Sequence, residues 1–224
     1  MLNVGSPGTG RRAVIFDMDG TLLNSERVTM DCYLCAAAEA GVYGSQEIYC
    51  RTVGISREDA LRVYVGEYGE AVGTAVRDAT HRKLRNRIRE VGIPPKPGAE
   101  ALLTALAEHG DLLVLASSSG REQIGRKMKR SGLLRFFSRI VSGDNVTHAK
   151  PDPEIFEKAA ACCTGAEEIL VVEDSPNGIR AAAAAGLPAL LVPDLIEPDA
   201  ETAALAAQIL PDLYAVRRLL LPNI

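Results

Sequence analysis

Asp17 and Asp19 close an apolar run in AVIFDMDGTLLNS, residues 13–25, and Gly20 and Thr21 follow at once. A carboxylate at the tip of a buried strand costs free energy unless it is paired, hydrogen-bonded or bound to a metal. Two acids at that place point to a site, provided other segments supply partners. Three segments do. Ser117, Ser118 and Ser119 follow LLVLA and lead into Gly120. Lys150 lies in HAKPDPEIF, and Glu173 and Asp174 end ILVVED. Singly, each has an ordinary explanation. Asp19-Gly20-Thr21 makes a turn, Ser117–Gly120 a helix cap, Lys150 a surface lysine, and Asp174-Ser175-Pro176 a helix start. Together they bring carboxylates, hydroxyls and an ammonium to matching positions in the pattern of elements.

Those elements follow from periodicity. Val14–Asp17 reads as a short strand. Residues 24–91 then turn helical. Asn24 or Ser25 caps a helix through Val28, Cys32, Cys35 and Ala36. Ser56 caps a second through Leu61 and Val65, and a third runs from about Glu70 to Arg89 with Val72, Val76, Ala79, Leu84, Ile88 and Val91 on one side. GIPPKPG at 92–98 is a hard stop. Helices and strands alternate after it: helix 99–109, LLVLAS, helix 120–131 ending at Gly132, strand 138–142, helix 153–163, strand 169–172, a helix capped by Ser175, and strand 190–192. The unbroken apolar runs are those of strands covered on both faces. The alternation predicts an α/β fold with a doubly wound, mostly parallel sheet. Its core comprises residues 1–23 and 92–224, and 24–91 is an all-helical insert. Ligands of such sheets bind beyond the carboxyl ends of the strands, where the polar residues fall.

Composition narrows the partners. A chain of 224 residues, 47% apolar, has ample material for a core. A net charge of −4 and the absence of Trp argue against nucleic acid and membrane surfaces. The first residues hold no apolar stretch of a signal peptide, so a soluble cytoplasmic protein is expected. Five cysteines without such a signal argue against a disulfide framework. Cys32 and Cys35 have no second pair to complete a zinc site and read as buried thiols. GSPGTGRR imitates a phosphate loop but lacks the strand before it and the Lys-Ser/Thr after it, so it reads as a flexible tail.

Asp-x-Asp-Gly-Thr at 17–21, the strand ending in Ser117, Lys150 before Pro, and Glu173-Asp174 resemble the four motifs of the haloacid dehalogenase-like (HAD) superfamily. The similarity covers nearly the whole chain from Ala13. It is greatest to the phosphatase and β-phosphoglucomutase branch, which carries a helical cap after the first strand. The resemblance implies a Rossmann-like core, phosphoryl chemistry and Mg²⁺. On that basis Asp17 is the nucleophile of an aspartyl-phosphate mechanism, and Asp19 the general acid and base. Ser117, Ser118, Lys150 and the backbone N–H groups around Ser118–Gly120, at the helix start, hold the phosphoryl oxygens. Asp17, Asp174 and the Asp19 carbonyl hold the metal, with Glu173 in or near that shell.

The resemblance also marks Arg57, in GISREDAL, and Lys83 as cap residues that reach the substrate. Lys83 lies in a basic run, 77–90, of net charge +4. A solvated helix face explains such a run equally well. The sequence departs from the branch at Thr29, where a His is common, and at Asn24, where Asp is common. The missing His weighs against a phosphomutase. The expectation is therefore a monomeric Mg²⁺-dependent phosphatase acting on a small phosphorylated metabolite, such as a sugar phosphate. A β-phosphoglucomutase-like mutase is the alternative. A phosphoacceptor switch uses similar residues but leaves its aspartate open, which the insert opposes. Dehalogenation needs neither Asp19 nor a metal.

Overall fold

In the computed structural model, residues 11–222 are described, so the phosphate-loop imitation lies largely outside them. The chain divides into two compact units. One comprises the residues up to Leu23 and from Pro94 onward, the other Asn24–Ile93.

The first unit is built on six strands: β1 (Arg12–Phe16), β2 (Leu112–Ser117), β3 (Arg139–Ser142), β4 (Glu168–Glu173), β5 (Ala189–Leu191) and β6 (Gln208–Ile209). Their order is β3-β2-β1-β4-β5-β6, and every neighbouring pair is parallel. The chain winds outward from β1 in one direction through β3, then in the other through β6. The reversal beside β1 opens a crevice at the carboxyl ends of the strands. Ala13–Phe16, Leu113–Ala116 and Leu170–Val172 are buried along the centre of the sheet. That accounts for their lack of polar alternation.

The second unit holds α1 (Ser25–Glu39), α2 (Gln46–Cys50), α3 (Arg57–Tyr68) and α4 (Glu70–Glu90). α1 and α3 both pack on α4. Tyr33 lies at its centre, its ring 5.8 Å from that of Tyr49 and 5.3 Å from that of Tyr64. The aromatic rings change the expected inward faces. α1 buries Val28, Tyr33, Ala36 and Ala37, which leaves Cys32 half-buried and turns Cys35 out to solvent. The pair is thus not the core pair of thiols expected from its spacing. In α3 only Tyr64 is buried, and Val91, beyond α4, is 60% exposed.

The helices of the first unit are α5 (Ala99–His109), α6 (Arg121–Ser131), α7 (Glu154–Ala161), α8 (Pro176–Ala184), α9 (Ala200–Leu205) and α10 (Leu213–Leu220). Ser175 caps α8 by accepting from the Gly178 N–H, and Pro176 opens it. α6 ends on Gly132 in the left-handed conformation. No described helix is long and apolar enough to cross a membrane.

Gly178, in the first turn of α8, marks a close approach. A Cβ there would lie 1.7 Å from Glu173 Oε1. Gly178→Ala is expected to force Glu173 aside and to cost about 1–3 kcal/mol, as overpacking does. A calorimetric melt showing an unchanged midpoint would contradict this reading of the α8 start.

Candidate active site

Asp17 directly follows β1, and its N–H donates to the Val172 carbonyl of β4 at 3.0 Å. The backbone therefore fixes where this side chain starts. Gly20, with φ +86°, turns the chain back so that its N–H reaches the Leu23 carbonyl. A non-glycine residue would be strained there. It would also collide with Asp174, since a Cβ at Gly20 would lie 2.1 Å from Asp174 Oδ2. The other oxygen, Oδ1, accepts from Thr21 Oγ1 at 2.8 Å. Asp-x-Asp-Gly-Thr thus seats the carboxylate that ends β4 against its own turn.

Lys150 joins the two strands. Its Nζ donates to Asp17 Oδ1 at 2.6 Å and to Glu173 Oε1 at 2.7 Å. The three side chains are only 8%, 8% and 1% exposed. Glu173 Oε2 accepts from the N–H groups of Asp174 and Ser175, both at 2.7 Å, and from Ser175 Oγ. Both oxygens of Glu173 are therefore engaged in holding the lysine and the turn into α8.

The loop carrying Lys150 is itself held. Glu154 Oε2 accepts from the N–H groups of Thr147 and His148, and Asp152 Oδ1 from the Glu154 N–H. Hydrogen bonding from Lys158, with those N–H groups, holds the Glu154 carboxyl down to about 2. His148, Asp152 and Glu154 bring possible ligand atoms within 4.8 Å of one another. The ammonium of Lys158, 2.6 Å from Glu154 Oε1, already pairs with one of these carboxylates.

Asp19 has partners of its own. Ser119 Oγ donates to its Oδ2 at 2.9 Å, and Lys127 Nζ lies 2.7 and 2.9 Å from its two oxygens. Ser117, buried at the end of β2, accepts from the Ser119 N–H. Ser118 is exposed. At the start of α6, next to the N–H groups of 118–120, Asp144 Oδ2 accepts from the Arg121 N–H at 2.7 Å. Arg57 is exposed at the start of α3, and Lys83 of α4 pairs with Glu39 of α1 at 2.6 Å. Lys127 and Asp144 are absent from the expected site. Lys127 sits among charged neighbours in REQIGRKMKRS, which reads as a solvated face.

Burial is the main force on Asp17 and raises its carboxyl. Lys150 pulls it back, and the charges of Glu173 and Asp19 push it up again, to about 7. Burial alone would lower the Lys150 ammonium, but Asp17 and Glu173 together hold it above its ordinary value. Asp17, Asp19, Glu173 and Asp174 share the crevice with the ammonium groups of Lys127 and Lys150. Fully ionised, the set lacks the charge of one divalent cation. Its all-oxygen donors suit a hard ion such as Mg²⁺.

A strand-tip acid, a second acid, a buried lysine and serines thus meet at a parallel switch point, where such sheets bind ligands. The chain belongs to the haloacid dehalogenase-like hydrolases, whose family model matches residues 14–192, and it is a phosphatase of that family. It is 28% identical to a phosphorylated carbohydrates phosphatase of Thermotoga maritima, over 78% of this chain and 82% of that one. It is 32% identical to a probable pseudouridine-5'-phosphatase of Drosophila melanogaster, over 80% of each. Among solved structures, a HAD family hydrolase from Deinococcus radiodurans with bound phosphate and sodium superposes with a TM-score of 0.81. That match has 27% identity and covers 95% of this chain and 96% of that one.

Removing one partner of a buried ion pair strands the other charge. Lys150→Met is expected to destabilise the protein by about 3–5 kcal/mol at neutral pH and to raise the Asp17 carboxyl further. A melting temperature within about 2 °C of wild type would show that the bridge does not hold the two strand ends.

Proposed function

We propose that this protein is a Mg²⁺-dependent phosphatase that hydrolyses a small phosphorylated metabolite, with a sugar phosphate as the favoured class, through a phosphoaspartate at Asp17. One observation carries the reading. Asp17 directly follows the central strand with Oδ1 held by Lys150, while its Oδ2 makes no hydrogen bond among the described residues. That leaves a fixed carboxylate with one oxygen available to attack.

Phosphate monoesters are among the slowest esters to hydrolyse unaided, and a carboxylate nucleophile divides the work into two steps. In the first, an Asp17 oxygen bonds to phosphorus and the ester oxygen departs with its electron pair. Asp19 gives that oxygen a proton, and the alcohol leaves. In the second, Asp19 takes a proton from water as its oxygen bonds to phosphorus. The Asp17–phosphorus bond breaks and inorganic phosphate is released. Lys150 and Ser117 hold phosphoryl oxygens in both steps. Asp17, Asp174 and the Asp19 carbonyl would hold the Mg²⁺, which when bound offsets the charge of the acids and of the phosphoryl group. Glu173, with both oxygens engaged, is assigned to orienting Lys150. Thr29 donates its hydroxyl to the Ser25 carbonyl within α1, and the absence of a histidine there favours water over a second sugar as acceptor. The phosphorylated carbohydrates named for the Thermotoga maritima relative support the sugar-phosphate class.

Asp17→Asn keeps the shape and removes the nucleophile, so turnover of p-nitrophenyl phosphate should fall at least about 1,000-fold with the fold intact. Activity within about tenfold of wild type, about 1.4 kcal/mol of barrier, would end the assignment.

Metal binding has a pH signature. Because the Asp17 carboxyl is raised in the folded protein, it keeps a proton that the unfolded chain releases between 3.8 and about 7. Stability without metal therefore falls as pH rises through that window. Mg²⁺ needs the ionised form, so it should raise the melting temperature more at about pH 8 than at about pH 5. Equal shifts at both pH values, or full activity in excess EDTA, would contradict metal ligation by Asp17.

A further inference from the structure

We propose that Lys127 of α6 is the positioning residue of Asp19, holding its carboxylate in place for the leaving-group proton. The inference rests on the reading of Asp19 as the general acid. Lys127 Nζ reaches both oxygens, at 2.7 and 2.9 Å, and Ser119 Oγ reaches one of them at 2.9 Å. An ammonium shared by both oxygens, with a hydroxyl on one, fixes the rotation of the carboxylate as well as its place. The side chains of Lys127 and Asp19 are 16% and 23% exposed, so the pair is far better shielded than an ordinary surface salt bridge.

The element behind the lysine is firm. Ile124 and Met128 of α6 are buried, Asp144 caps its first N–H, and Gly132 closes it. Arg121, Arg126, Lys129 and Arg130 on the same helix are exposed, and Lys127 alone of its cationic side chains is not. Solvation of the helix explains the others and leaves Lys127 unexplained. Lys150, the buried ammonium of the motifs, is bound between Asp17 and Glu173. The site thus has two lysines with separate work. One fixes the nucleophile and the other fixes the acid.

A misplaced catalytic group loses rate steeply, up to about 100-fold for a shift near 1 Å. The loss should follow the need for a proton. Glycerol 2-phosphate has an alkoxide leaving group that requires one, and p-nitrophenyl phosphate does not. The value of kcat/KM reports the route up to release of the alcohol, before water attacks the phosphoenzyme. Lys127→Met is therefore expected to lower kcat/KM for glycerol 2-phosphate about 10- to 100-fold. For p-nitrophenyl phosphate the change should stay below about threefold. Lys127→Arg should recover most of the loss, since it restores a cation to the same carboxylate.

Asp19→Asn, measured in parallel, should show the same split more strongly. If it shows the split and Lys127→Met lowers both substrates equally, or neither, the role assigned to Lys127 is wrong. If Asp19→Asn itself shows no split, the reading of Asp19 as the acid fails first, and the proposal falls with it. Lys127→Gln replaces the Met variant if the latter does not fold. A spared kcat/KM for p-nitrophenyl phosphate in either variant separates positioning from a general loss of structure.

Discussion

Lys150 is the point on which the site hangs. It arrives on the loop between β3 and α7, and its ammonium ties the acid that ends β4 to the acid that follows β1. Burying three charged groups is a poor way to gain stability, since desolvation offsets most of the attraction. What it gives is geometry. The two carboxylates cannot rotate apart while one ammonium holds both, and the lysine cannot withdraw while Glu154 and Asp152 pin its loop. The ring of Phe156, 4.8 Å from Nζ, closes the apolar side of the same cation.

The sheet makes this meeting possible. Asp17 and Asp174 are far apart in sequence, yet β1 and β4 are hydrogen-bonded neighbours in register, with Phe16 beside Val172. β2 lies on the other flank of β1 and sets Ser117 at the same level. The parallel order requires helical crossovers, and the crossovers bury both faces of the central strands. The apolar character of LLVLA and ILVV is thus the condition for placing polar residues at their ends. Polar groups inside those strands would have had no partner.

The core elements and the motif residues were legible because each leaves a local mark: an apolar run, a Gly at a positive φ, a Ser-Pro helix start. Asp17, Asp19, Ser117, Glu173 and Asp174 end or follow apolar runs, whereas Lys150 is marked only by the Pro after it. Contacts between distant elements leave no such mark. Lys127 looks like any residue of a charged helix, and only packing of Ile124 and Met128 decides which way it points. Asp144 occupies the α6 start from a different loop. Cys35 was misread because helical spacing gives the relative angle of side chains but not which face an aromatic centre such as Tyr33 will claim. The closing elements, β6 of two residues and α9 of six, are too short to show a period.

The two places where the chain leaves and re-enters the sheet-bearing unit touch each other. Leu23 and Pro95 form an antiparallel bridge, the Lys96 N–H donates to the Leu22 carbonyl, and Lys96 pairs with a nearly buried Asp194 at 2.6 Å. To the sheet, everything from Asn24 to Ile93 is therefore one long loop with its ends already joined. The entropy of closing a loop grows only slowly with its length. An insert entered through so narrow a gate can be lengthened, shortened or exchanged over evolutionary time without moving a single strand.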